Sequence, residues 1–307
     1  MAMTLYIDGN LISTSPSVCI YTDHADGWSD SIELSIDDSD AEVQKLRPVK
    51  GMELQALCSN ADTGTMYISN VSYRAGIVML RALSLPARCY VTRNSYWNRV
   101  DFSEFVKDIA DETGLTLRLI DRLPVTYIDI TRVEIAPVQL LQERLSLEGF
   151  ACKIHNNTLI VFDERKREQS EYTEMYFLSD FTEEPVYQTK DSGLIARVEN
   201  SYRTQAGSLI KTAVESGIQG RTLRENIAVS SIDESERFSR GIMRSANKYE
   251  FIGCITLDGI RHSSGEVIYL SDAPYMHSGE NYIYKAENDF VKEKQTLYVR
   301  RPVTGGY

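Results

Sequence analysis

Several features are scarce or missing in this sequence, and each absence removes a class of explanation. No run of eighteen apolar residues occurs, so neither a transmembrane helix nor membrane insertion is expected. The opening residues, MAMTLYIDGN, lack a basic stretch followed by an apolar one, so no secretory signal is expected. Cysteine is sparse. Cys19, Cys58, Cys89, Cys152 and Cys254 are scattered and odd in number, which argues against a disulfide framework and for folding in a reducing cytosol. Phosphate-cradling glycine loops, HExxH, GxSxG and paired CxxC motifs are absent. Basic residues are outnumbered, 33 Lys and Arg against 44 Asp and Glu. The resulting net charge of −11 makes stable nucleic-acid binding unfavourable, and it also serves plain solubility.

What is present suggests two or three domains in 307 residues. The chain is organised around residues 97–162, which read as a small α/β unit. Phe102, Phe105, Val106, Ile109 and Ala110 fall on one helical face, predicting a helix over 103–113. Asp101 or Ser103 can cap its start, and Gly114 can end it in a left-handed conformation. A strand follows over 115–120. Pro137 opens a second helix over 137–147, with Val138, Leu140, Leu141 and Leu145 facing inward and Gly149 stopping it. Residues 150–155 and 158–162 then pair as a hairpin across Asn156 and Asn157.

The flanking segments are β-rich. Strands are expected over 17–22, 31–36, 52–58, 65–73 and 77–83, with a turn at 24–27, in a small barrel or sandwich. Ile32, Leu34 and Ile36 alternate with Ser31, Glu33 and Ser35. The mixed-charge run 163–170 has no apolar anchor and reads as a solvated connection, and a further strand is expected within 172–180. In the last segment, strands are expected over 193–202, 207–214, 250–257, 267–270, 281–288 and 295–300. Residues 217–227 read as a polar, glycine-containing excursion. Phe238, Ile242 and Ala246 mark a helix over 233–249, in which Gly241 signals close packing. The expected division is therefore 1–96, 97–170 and 171–307.

Candidate chemistry is thin. Cys152 and His155 lie three apart in a strand, so their side chains leave opposite faces and form no thiolate–base dyad. His24, His155, His262 and His277 fall in different elements, which gives no zinc spacing. Eight acidic residues and no Lys or Arg lie between Asp23 and Glu42, but Asp23, Asp26 and Asp30 miss the spacing of a calcium loop and read as a solvated loop. Trp28 and Trp97 read as caps of a barrel or domain junction rather than sugar platforms. With so many carboxylates, an imagined glycosidase pair carries no weight. No catalytic, cofactor-binding or metal-binding residue is assigned.

Taken in order, these parts resemble the late-control or hub proteins of contractile phage tails and tailocins, and the N-terminal region of VgrG spikes. The resemblance rests on three stretches: the acidic strand 29–38; the helix, Gly, strand block 102–119 with the helix, Gly-Phe, hairpin block 137–162; and the closing pattern 235–289 with Gly259, Gly265, His277 and Tyr282. It implies an α+β, mostly β fold, in which two tail-tube-like β-barrel domains flank a small inserted α/β domain. It further implies a non-enzymatic homotrimer that joins a hexameric tail tube protein to a trimeric spike protein. Other implied partners are baseplate proteins, among them a LysM-type protein and the tape measure. The implied location is the tail baseplate of a virion or tailocin particle, made in the host bacterial cytoplasm. Carboxylates lining a bore would repel phosphates within a Debye length of about 8 Å. The alternative is a peptidoglycan-active or wall-binding baseplate component. This chain is shorter than many such proteins and shows no fused spike or lysozyme segment after the last β region.

Overall fold

Alternation of apolar and polar side chains produces most of the secondary structure, as in strand Ser31–Asp37, where Ile32, Leu34 and Ile36 are buried and Glu33 is exposed. The computed structural model describes residues 3–26, 29–58, 61–204, 207–274 and 276–303; Gly27 of the expected turn and Trp28 lie outside them. Strands predominate. The helices are α1 (Glu42–Leu46), α2 (Phe102–Thr113), α3 (Pro137–Glu148), α4 (Glu164–Glu168) and α5 (Ile232–Asn247).

Among the described residues, fourteen strands form one continuous sheet. Its path runs from Val186–Thr189 through Phe251–Asp258, Lys294–Arg300 and Gly279–Asp289, crosses to Pro16–His24 and Ser31–Asp37, and ends through Ile77–Leu83, Met66–Arg74, Glu53–Cys58, Thr4–Ile7 and Asn10–Ile12. The two separate barrels expected from the sequence are not formed: no strand set among the described residues closes on itself. The physical reason is visible at the seam. Pro16–His24 pairs with Ser31–Asp37 along one edge and gives its other edge to Gly279–Asp289, in antiparallel register with Lys285 opposite His24 and Asp289 opposite Ile20. Each half of the sheet still buries its own core. One is built on Leu5, Ile7, Leu54, Ile68 and Leu80, and the other on Ile255, Ile268, Ile283, Leu297 and Val299. Phe290, from the last segment, packs in the first of these cores.

The middle unit forms as its periodicity predicts. Phe105, Val106, Ile109, Leu141 and Leu145 are buried together. Gly114 and Gly149 end α2 and α3 at φ of 60° and 74°. Asp101 stands at the N-cap of α2, but its carboxylate accepts from the Thr126 hydroxyl instead of capping the helix. Strand Thr116–Leu119 runs parallel to Thr158–Asp163, which pairs with Phe150–His155 across Asn156 and Asn157, both at positive φ. A second sheet, Arg93–Asp101 with Thr126–Ile135, has no counterpart in the sequence reading of 121–136.

Two more readings change. Residues 221–225, expected within an excursion, form a strand parallel to Ile195–Arg203, whose other edge pairs with Leu209–Glu215. The strand expected within 172–180 is only Met175–Tyr176, followed by a short turn of helix. Helix α5 lies against α3, with Phe238 inside the core of the middle unit. A Cβ added at Gly241 would stand 2.2 Å from the Leu147 carbonyl oxygen, so the close packing expected there is real.

Candidate functional site: buried ionic clamps and free sheet edges

The run 163–170, expected to be a solvated connection, is instead the centre of a buried ion network. Asp163 caps α4 by accepting from Arg165 N. One turn of helix then puts Glu164 and Glu168 on the same face, and both are buried. Arg300, fully buried at the end of the last strand, donates to Glu164 Oε1 at 3.0 Å and to Glu168 Oε1. Arg244 from α5 reaches Glu168, Lys248 donates to Glu164 at 2.9 Å, and Val303 N donates to Glu168 Oε2 at 3.0 Å. Burial pushes the Glu164 carboxyl up, but the charges of Lys248, Arg300 and Arg244 outweigh it and hold it at about 2. Arg300 is held charged by the same two glutamates against the effect of burial. Its guanidinium also lies 4.8 Å from the Tyr282 ring centroid. Beside the network, Tyr249 donates to Asp26 at 2.8 Å.

A second clamp joins the hairpin of the middle unit to both sheet halves. Lys153 pairs with Asp23 and donates to Ser264 Oγ at 3.1 Å, while Ser264 N donates to Asp23 Oδ2 at 2.9 Å. Burial opposes ionisation of Asp23, but Lys153 more than compensates and its carboxyl is lowered. Asp30 goes the other way, raised by burial and by the neighbouring Asp23 charge, and accepts from Tyr21 at 3.0 Å. The hairpin tip docks as well. Asn156 accepts from Thr65 N and Oγ1, Asn157 accepts from Tyr67 at 2.7 Å, and Gly64 leaves no room for a side chain against Asn156. The acidic loop read as solvated is therefore largely consumed in joining segments.

The sequence candidates for chemistry stay apart. Cys152 is buried, and burial pushes its thiol to about 12. His155 instead lies 3.8 Å from Asp30. His24 lies near Asp26, His262 bridges Tyr176 and Glu266, and His277 packs on the Tyr187 ring. Among the described residues, no group of three or more His, Cys, Asp or Glu could hold a metal ion. Trp97 packs edge-on against Phe105 and donates to Asp108, a cap on the middle core. The glutamates of α4 were missed because an alternation of acid and base looks the same whether its partners are water or distant arginines. Alternation gave no signal for Arg300 either, since it falls in step with Lys294, Thr296 and Tyr298 on the less buried face of its strand, not with Leu297 and Val299.

At the surface, the path of the continuous sheet ends on two strands that each pair along one edge only among the described residues, Asn10–Ile12 and Val186–Thr189. Leu11 and Val186 are over half exposed there, and Phe177 and Leu178 are also exposed. Unpaired strand edges of this kind readily accept another strand or a packed loop.

Over its whole length the chain shares its fold with solved tail proteins, the class the sequence resemblance pointed to, without the two closed barrels that resemblance implied. The 43 kDa tail protein of prophage MuSo2 from Shewanella oneidensis superposes with a TM-score of 0.79 at 13% identity, over 98% of both chains. The tail protein from Neisseria meningitidis MC58 gives 0.77 at 11% identity, over 98% of this chain and 96% of that one. The E. coli c3393 protein, a type VI secretion system component described as structurally similar to the T4 bacteriophage tail proteins gp27 and gp5, gives 0.56 at 11% identity, over 98% of this chain and 77% of its own. At these identities it is the fold that is shared. No protein-family model matches the sequence, and no curated protein matches it.

Proposed function

We propose that this chain is a structural hub of a phage-like contractile tail, a homotrimer that joins a hexameric tube to a trimeric spike and baseplate. The observation that carries the reading is the end-to-end match to the Shewanella tail protein, which leaves no substantial part of either chain over. The two sheet halves, each with its own core, support a division into tube-like parts within 1–96 and 171–307 around the unit 97–170. Three chains would then offer six such halves, matching three-fold to six-fold symmetry. The buried clamps suit a part that transmits load between rings, because they tie the three segments at several points. The role needs no catalysis. A LysM-type baseplate protein and the tape measure are further partners to test.

Co-expression with the tube and spike chains of the same particle, followed by light scattering, tests the assignment. A trimer that co-purifies with both is expected. A chain that stays monomeric and captures neither would sink it.

A further inference from the structure

We propose that the groove between strand Thr126–Ile135 and the loop 228–232 binds an extended peptide of a partner chain through a carboxylate that pairs with Arg144. The groove has a volume of about 760 Å³, within the usual range for ligand sites of about 300–1,000 Å³. Two strands contribute walls, Thr126–Ile135 and Leu209–Glu215, and each pairs with one neighbour only among the described residues. Main-chain pairing at such a strand is the common way an extended peptide is held. Exposed Ile128 and Ile232, with half-buried Tyr202 and Ile210, provide apolar surface for its side chains.

Charge selects the rest of the occupant. Arg144 is half-buried at the groove, its guanidinium 5.8 Å from the Tyr127 ring centroid and 5.6 Å from that of Phe238. Stacking fixes the plane of the group and leaves its N–H edge for a carboxylate, the acceptor that matches it in two parallel hydrogen bonds. Among the described residues no carboxylate lies within ion-pair distance of Arg144. The two acids that do line the groove have donors of their own: Asp129 accepts from the Tyr96 hydroxyl, and Glu234 accepts from Ser230 N at 2.6 Å and Ser230 Oγ at 2.7 Å. These neutral donors leave both acids charged, so the groove as a whole carries one negative charge in excess, and the selection for a carboxylate is local to the Arg144 end. This assignment does not depend on the tail reading.

The test uses the full chain and the peptide Thr-Val-Thr-Val-Glu, with fluorescein on its N-terminal nitrogen and a free C-terminus, read by anisotropy. The control carries Gln for Glu and a C-terminal amide. The acid peptide is expected to bind, with affinity about 10- to 100-fold above the control, the span of a charge-assisted hydrogen bond. Arg144→Gln should remove that difference. Ser208→Trp, which adds bulk at another residue of the groove lining, should weaken binding as well, and it carries the test if Arg144→Gln fails to fold. The proposal is overturned by equal binding of acid and control peptides, by binding that neither variant alters, or by no binding at millimolar peptide. Binding that weakens as unlabelled protein is raised, with a matching rise in dimer, would assign the groove to a second copy and overturn it too.

Discussion

Single residues with no freedom to change locate the tightest contacts. Gly241 is one, because α5 crosses α3 where only a hydrogen fits under the Leu147 carbonyl. Alanine would add helix propensity worth up to about 1 kcal/mol, but overpacking of this kind loses about 1–3 kcal/mol. Gly241→Ala should therefore lower the thermal midpoint, and a raised midpoint would show that the helices can separate without loss. Phe105 and Leu141 are the complementary case, buried side chains read as core from their helical spacing alone. Replacing either with alanine should destabilise by about 2–5 kcal/mol in denaturant titration. A loss under about 0.5 kcal/mol, the size of a surface change, would place both side chains outside the core.

At the scale of elements, the short helix α4 matters more than its length suggests. Arg300→Met would leave Glu164 and Glu168 with one cation fewer in a buried site, and should destabilise by about 3–5 kcal/mol. Replacing Arg300, Glu164 and Glu168 together by apolar residues should be milder, since no unpaired charge would remain; unfolding titrations of the two variants give the comparison. The same element predicts an acid transition. The Glu164 carboxyl is depressed from its ordinary 4.5 to about 2 in the folded chain. Its contribution is present in full above pH 4.5 and is lost as pH falls towards 2, because the unfolded chain takes up the proton first. Stability measured from pH 6 down to pH 2 should drop through that window, and the drop should flatten in Glu164→Gln. This element was also the least legible in the sequence. The spacing of Glu164 and Glu168 was there to see, but their partners Arg244 and Arg300 lie far along the chain. Helices α2 and α3 were legible because their apolar stripes and stop glycines are all local.

Over the whole molecule, the seam between Pro16–His24 and Gly279–Asp289 turns what read as two bodies into one sheet, whose path has two ends unpaired among the described residues. If those ends make the contacts between copies, a charge on one of them should act on assembly and not on folding. Val186 is 53% exposed on an edge strand. Val186→Lys should leave the unfolding free energy within about 0.5 kcal/mol of the parent and reduce the fraction of the proposed trimer in sedimentation. An unchanged trimer would move the contact away from this edge.

The sequence by itself determined the local pieces: where α2, α3 and α5 start and stop to within a residue or two, which strands alternate, the Asn156–Asn157 turn and the close approach at Gly241. These depend on residues a few positions apart. Tertiary structure alone decided that the two β segments share one sheet, that α5 packs on the middle unit, and that the charged run 163–170 is interior. Each of those outcomes depends on which distant backbone edge, apolar face or opposite charge is met in space, and no local pattern carries that information.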